Sequence, residues 1–360
     1  MPLHDVGYRP WTGTPRPRGA AGVIAGTGIR LAFKSRWLRR VLLFAWSPAL
    51  VFAGGFFAFE QAVEESARGE PVSPTRRLDS FGTIGALVAD SLGGRLDEPE
   101  AARRTVWSRL LLAFMRAPQA VLLAVVVGLV APKLIAGDLR ARAWLVYFTR
   151  PLGRTDYILG KVLTLAAIVG LVTLVPALVL WIVGVLVSPS VWVAVATSDL
   201  PLRIVAAAVA VTLPTVLLAL AYSSLTAESR IATFAWFATW VACWIAHGAL
   251  TGADMAAEAA RAPTAQRGFD RLLGQVAGDP RLPRDGRPPL GWLARAAGLE
   301  RTVDRWSWLS LYHAQGVVQA WIFGIEDRLV VVLPPLLALL AVALVSLGIL
   351  FRRVDAPARA

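Results

Sequence analysis

Hydrophobic positions along this chain run in long unbroken blocks instead of alternating or recurring every third or fourth residue. Six blocks, at about 41–59, 111–136, 158–187, 201–225, 231–250 and 329–351, are near or above the roughly 20 apolar residues a helix needs to cross a bilayer core. They predict an all-α polytopic membrane protein with six transmembrane helices. Ahead of them, Gly22–Arg40 interleaves Val23, Ile24, Ile29, Leu31, Phe33, Trp37 and Leu38 with Arg30, Lys34, Arg36, Arg39 and Arg40. That pattern predicts an amphipathic helix lying along the membrane interface. The third block contains Pro176 and the fourth Pro214, and a proline inside a helix removes one backbone donor and bends it.

Two polar stretches are too long to be turns, residues 60–110 and 251–328. The first is mildly amphipathic and then starts a helix near Pro99, with acids in its opening turn. Arg116, near the start of the second block, is expected to reach back to the interface with its long side chain, the alternative being a substrate-lining role. The second stretch has a proline-rich middle, followed by LERTVDRWSWLSLYHAQGVVQAWIF, whose aromatic residues suggest a helix against the outer membrane surface or capping the bundle. The domain reading is an interfacial segment 1–40, a transmembrane domain 41–351 and a tail 352–360.

Composition agrees, since 56% hydrophobic residues and a mean hydropathy of +0.58 are too apolar for an ordinary soluble domain. Charge then orients the bundle. Residues 1–40 carry eight basic groups against Asp5 alone, and 133–161 carry six against Asp138 and Asp156. The two long stretches hold seven basic with nine acidic groups and ten with nine. Lys and Arg in short connections resist translocation while long loops count little. Both termini and residues 133–161 are therefore expected in the cytoplasm, and 60–110 and 251–328 outside. The net charge of +13 sorts by membrane side and does not form one patch, so nucleic acid is not an expected partner. A cleavable signal peptide is not expected either, because no short apolar core follows the basic start.

The stretch KLIAGDLRARAWLVYFTRPLGRTDYILGK at 133–161 is the short connection with the strongest bias. LRARAWLVYF can form a short helix with Leu139, Trp144, Leu145 and Phe148 roughly on one side, and Pro151 ends it. Helix, proline break and new span make a knob that could be presented to a soluble partner. Asp138 followed by Thr149, Arg150, Pro151, Leu152, Gly153, Arg154, Tyr157, Gly160 and Lys161 resembles the loop between the second and third spans of type-2 (ABC-2) ABC exporter permeases. Where many members have Glu, Arg and Lys followed by Gly-Thr after the acidic residue, this chain has Leu-Arg-Ala-Arg-Ala.

That resemblance implies a permease subunit of an ATP-driven exporter in a bacterial inner membrane. It implies a second permease copy or paralogue and two cytoplasmic ABC ATPase subunits, which would bind the ATP and Mg that this chain does not. It marks an ATPase-coupling loop: Asp138, Arg140 and Arg142 for polar contacts or loop-fixing ion pairs, and Trp144, Tyr147 and Phe148 for insertion into an apolar groove. Arg150 and Arg154 would bond the ATPase or anionic headgroups, and Pro151 would set the break. The alternative is a membrane scaffold or assembly factor meeting an extracytoplasmic partner through 251–328.

Other chemistry is not legible. The nearest imitation of a phosphate-binding loop, Gly153 to Lys161, has six residues between its glycines where four are needed, and Val162 stands where Ser or Thr should. His4, His247 and His313 form no metal-ligand pair, and the single Cys243 excludes an intrachain disulfide. No enzyme activity, bound cofactor or metal is expected. Span centres nearly free of carboxylates weaken an ion-coupled carrier. Trp236, Trp240 and Trp244 recur every four residues on the fifth span, a stripe that could line a substrate pathway or simply pack and anchor in lipid.

Overall fold

The computed structural model describes residues 19–67, 82–92, 99–116, 121–143, 153–261 and 305–355. Among them are helices and no strands, and six helices are long and apolar enough to cross a membrane: 36–65, 122–140, 154–187, 199–225, 229–254 and 329–354. The fold is an all-α polytopic bundle.

The N-terminal amphipathic pattern divides into two helices, α1 (Ala20–Phe33) and α2 (Arg36–Ala45). Ser35 separates them, in extended conformation with its Oγ accepting from the Leu38 amide at 3.4 Å, as an N-cap serine does. The first span therefore starts at Arg36 rather than at 41, and α2 runs on through Trp46 into α3 (Ser47–Ala67).

The second span also differs from the hydropathy blocks. Helix α4 (Gly82–Leu92) is followed by α5 (Pro99–Arg116), and the apolar residues 110–115 belong to α5. Leu110, Leu111, Leu112, Ala113, Phe114 and Met115 are all buried against the first span and its neighbours. The run 111–136 thus joins two elements, an internally packed helix and the span proper, α6 (Leu122–Leu134) with α7 (Ala136–Arg140). Their apolar residues face different neighbours, which a running hydropathy average cannot register.

The third span is α8 (Arg154–Val172) and α9 (Leu174–Val187), interrupted at Thr173, three residues before Pro176. Pro176 has no amide hydrogen to return to the Val172 carbonyl, and beside the break the Leu171 carbonyl accepts from the Trp46 indole at 3.1 Å. Pro214 by contrast sits within an uninterrupted helix, α11 (Asp199–Leu225), reached through the short α10 (Val193–Ala196). The remaining elements are α12 (Ser229–Arg261), a 3₁₀ turn Ser307–Leu309, α13 (Leu311–Ile322) and α14 (Leu329–Asp355).

Two main cores stack along the bundle. One, around Leu38, Leu42, Leu165, Ile168, Leu220, Trp236 and Leu350, gathers the ends of the spans nearest residues 133–161, here called the basic end. The other, at the far end, packs α3, α4, α5 and α9 around Phe56 and Trp107, whose rings meet edge-on at 5.4 Å. Gly184 makes the contact fit, because a Cβ there would lie 2.7 Å from the Phe56 ring. The same region buries Glu60 and Arg103, paired through two parallel hydrogen bonds of 2.8 and 2.7 Å.

Helix α13 packs between spans, where a helix against the outer membrane surface or a cap on the bundle was expected. Its Ala314, Gln315, Gly316, Val318, Gln319 and Ala320 are buried, and Ala314 and Val318 pack with Leu339 and Ala210 of the sixth and fourth spans. Leu339 stands about 15 Å along its helix from Leu329 at 1.5 Å per residue, so α13 is inserted between spans. Small residues permit that approach. Arg116 turns inward as well: its guanidinium lies over the Tyr312 ring at 5.6 Å and fills the space beside Gly316. The expectation that it extends to the interface is not met, because α13 offers it a partner inside.

Candidate functional site

The motif at 153–161 is built into the first two turns of α8. Gly153 precedes the helix in extended conformation, and Asp156 stands in the first turn, where a carboxylate complements the exposed amides. Tyr157 and Lys161 are four residues apart and share one face. Both reach Asp138 of α7: the Tyr157 hydroxyl donates to Oδ2 at 2.7 Å and the Lys161 ammonium lies 2.7 Å from the same oxygen. Lys161 is only 9% exposed and also sits 5.3 Å from the centre of the Tyr157 ring. A carboxylate, a phenol and an ammonium thus close a joint between the end of the second span and the start of the third.

The remaining motif glycine serves the opposite contact. Gly160 receives α1: a Cβ there would lie 2.7 Å from Ile24 and 3.0 Å from the Ala21 carbonyl. One turn on, Thr164 donates to its own Gly160 carbonyl at 2.8 Å and lies 3.5 Å from the Ala25 carbonyl, while a Cβ on Gly28 would strike its side chain at 2.6 Å. Small residues on both helices bring the backbones together, the usual way apolar helices gain contact where water supplies no driving force. Helix α8 therefore holds α1 on one side and Asp138 on another.

Asp138 rides on a short helix that is itself set off from its span. The ladder of the second span breaks at Ile135, where Ser223 of α11 inserts its hydroxyl. The Ile135 and Ala136 amides donate to Ser223 Oγ at 3.2 and 3.0 Å, and Ser223 donates to the Pro132 carbonyl at 3.2 Å. A side chain entering the ladder is a recognised cause of a kink, and it satisfies the backbone groups the kink frees.

Of the helix expected over 139–148, Leu139 and Arg140 end α7 and 141–143 form a turn, while 144–148 lie outside the described residues. The Arg142 amide donates to Leu139 and the Ala143 amide to Asp138, at 3.2 and 3.0 Å. This is a Schellman closure with Arg142 at φ +49°, the left-handed position glycine usually fills. Arg140, 60% exposed, approaches Glu228 in the turn between the fourth and fifth spans at 3.7 Å. Arg154 opens α8 and is exposed. Trp144, Tyr147, Phe148, Arg150 and Pro151 lie outside the described residues.

The tryptophan stripe of the fifth span divides by depth. Trp236 is 1% exposed, donates to the Ala124 carbonyl at 2.9 Å and meets Trp240 edge-on at 5.7 Å. Trp244 is 66% exposed. Successive positions four apart advance by more than one turn, so the stripe winds from the second span towards the outside of the bundle.

Sequence reasoning noted Tyr157, Gly160 and Lys161 only as parts of a motif, and missed Ser223 altogether. The four-residue spacing of Tyr157 and Lys161 was available as a signal. A serine near the end of an apolar span carries none. At the far end it also missed a polar group between spans: His247 stacks on His313 at 3.5 Å between ring centres, and Gln315 donates to Thr215 at 2.8 Å. No set of three His, Cys, Asp or Glu among the described residues is placed to hold a metal ion.

The family model described as "ABC-2 family transporter protein" matches residues 34–356. No curated protein matches the chain.

Proposed function

The chain belongs to the ABC-2 family of transporter proteins, and from that premise we propose that it is the permease of an ATP-driven exporter in a bacterial inner membrane. It works as a dimer of permease chains with two cytoplasmic ATPase subunits docked on residues 133–161. The basic end faces the cytoplasm, a placement supported by the excess of Lys and Arg in the short connections. ATP and Mg are held by the ATPase, and this chain supplies the moving spans.

One observation carries the reading: the joint of Asp138 with Tyr157 and Lys161. A push on the loop after α7 is transmitted through this joint to the third span, and through Gly160 and Thr164 to α1. Helix α7, the first turns of α8 and α1 then move together against the rest of the bundle. The Ser223 junction at Ile135 is the place where the second span can flex while keeping its backbone hydrogen-bonded. Two structural elements biased by nucleotide in the ATPase are what alternating access demands. In this arrangement Asp138 fixes the loop, while Arg140, Arg142, Arg154 and the segment Trp144 to Pro151 meet the ATPase. Trp244 is the member of the tryptophan stripe left to face cargo or the second permease copy.

The test is purification from the native host in mild detergent, with mass spectrometry of what accompanies the chain. An ABC ATPase in equal amount, with ATP hydrolysis by the pair, is the expected result. Replacing Arg150 and Pro151 together should then abolish stimulation of hydrolysis while leaving membrane insertion intact. A chain that purifies alone or with envelope proteins only, or a double variant with normal transport, overturns the coupling assignment.

A further inference from the structure

A cavity of about 400 Å³ opens beside the joint, between α1, α2 and the last turns of α6. That volume lies in the range of about 300–1,000 Å³ typical of ligand pockets. Leu31, Leu38 and Leu129 provide apolar wall, and Ser35, Trp37 and Lys133 line it as well. Its chemistry is that of an amphiphile site: hydrocarbon on one side, a cation, a hydroxyl and an indole on the other.

The charges around it are not balanced. Asp138 and Lys161 also line the cavity, but they are paired with each other at 2.7 Å. Lys133 is exposed and has no carboxylate partner among the described residues. Lys34 and Arg36 flank Ser35 in the chain. The surplus is positive, and it lies where the spans end. Tryptophan and lysine at span ends are the residues that meet headgroups, and Trp37 is 70% exposed.

We propose that this cavity binds one anionic phospholipid of the adjoining leaflet. An acyl chain occupies the space along Leu31, Leu38 and Leu129, and the phosphate is held by Lys133 with Ser35 as a further donor. The occupant is not the chain's own N-terminus: residues 1–18 carry Arg9, Arg16 and Arg18 against Asp5 alone and would bring like charge to Lys133. A lipid seated there touches both α1 and α6, so it couples the composition of the leaflet to the position of α1 on α8. The inference is independent of the partner ATPase, and its readout is lipid retention, so its failure leaves the permease reading standing.

The experiment uses the full chain in detergent, equilibrated with equal phosphatidylglycerol and phosphatidylcholine and examined by native mass spectrometry. One phosphatidylglycerol retained per chain, at about tenfold preference, is expected. Lys133→Gln should remove the preference, and Ala32→Trp, which fills the cavity, should remove retention of either lipid. Inorganic phosphate at millimolar concentration should displace nothing. A phosphatidylglycerol with a photoreactive acyl chain should label residues around Leu129 in the unaltered protein, which needs no variant to fold. Equal retention of both lipids, labelling spread over all lipid-facing spans, or displacement by inorganic phosphate would overturn the proposal.

Discussion

Removing the Asp138 carboxylate isolates the joint most cleanly. The pair is largely enclosed, with side-chain exposures of 11% for Lys161 and 19% for Asp138. At 2.7 Å and an effective dielectric near 20, the attraction is about 6 kcal/mol before the cost of taking both charges out of water. Measured losses on breaking buried pairs run about 3–5 kcal/mol, and residual exposure lowers the figure here. Asp138→Asn should therefore cost about 2–4 kcal/mol, including a weakened bond from Tyr157 worth about 1 kcal/mol. Lys161→Met alone should cost less, because the Asp138 carboxylate it leaves behind is the more exposed partner and keeps the hydrogen bond from Tyr157. The double variant should recover most of the Asp138→Asn loss, since neither charge is then left buried without its partner. Reversible unfolding in mixed micelles, followed by tryptophan fluorescence, completes the double-mutant cycle. A coupling energy below about 0.5 kcal/mol would refute the joint. A double variant that regains stability yet fails to couple ATP hydrolysis to transport would separate its mechanical role from its contribution to folding.

Three further outcomes follow from the geometry. Arg142→Gly should stabilise the fold by about 1 kcal/mol, the usual penalty of a side chain in left-handed conformation, read in the same unfolding assay; a loss would mean the turn is held differently. Gly160→Leu should expel α1 from α8, because its Cβ position is within 3.0 Å of Ala21 backbone, and limited proteolysis should then cut within 20–33; unchanged protection argues against that docking. In the far core, Glu60→Gln or Arg103→Met alone should cost about 3–5 kcal/mol, while Glu60→Leu with Arg103→Met should recover most of it. Single variants with melting behaviour like the parent protein would show that the pair contributes little.

The sequence by itself determined the all-α class and six membrane-crossing helices, because bilayer thickness acts on composition over long windows, while the family was legible through the resemblance carried by the motif at 138–161. Residues 133–161 were legible as the distinctive stretch through their excess of basic groups, and Asp138 as a residue that could fix the loop. Tertiary structure decided what each residue does there. Asp138 faces Tyr157 and Lys161, a relation between two helices. Arg140 ends its helix because Ala143 and Arg142 fold back on Asp138 and Leu139, against the helical preference of LRARA. The division of 111–136 at Arg116 and the insertion of α13 were likewise hidden. Hydropathy measures how apolar a segment is, and it cannot tell an apolar surface that meets lipid from one that meets another helix. Only packing draws that distinction, and in this bundle packing places Ser223 in a broken ladder and α1 on Gly160.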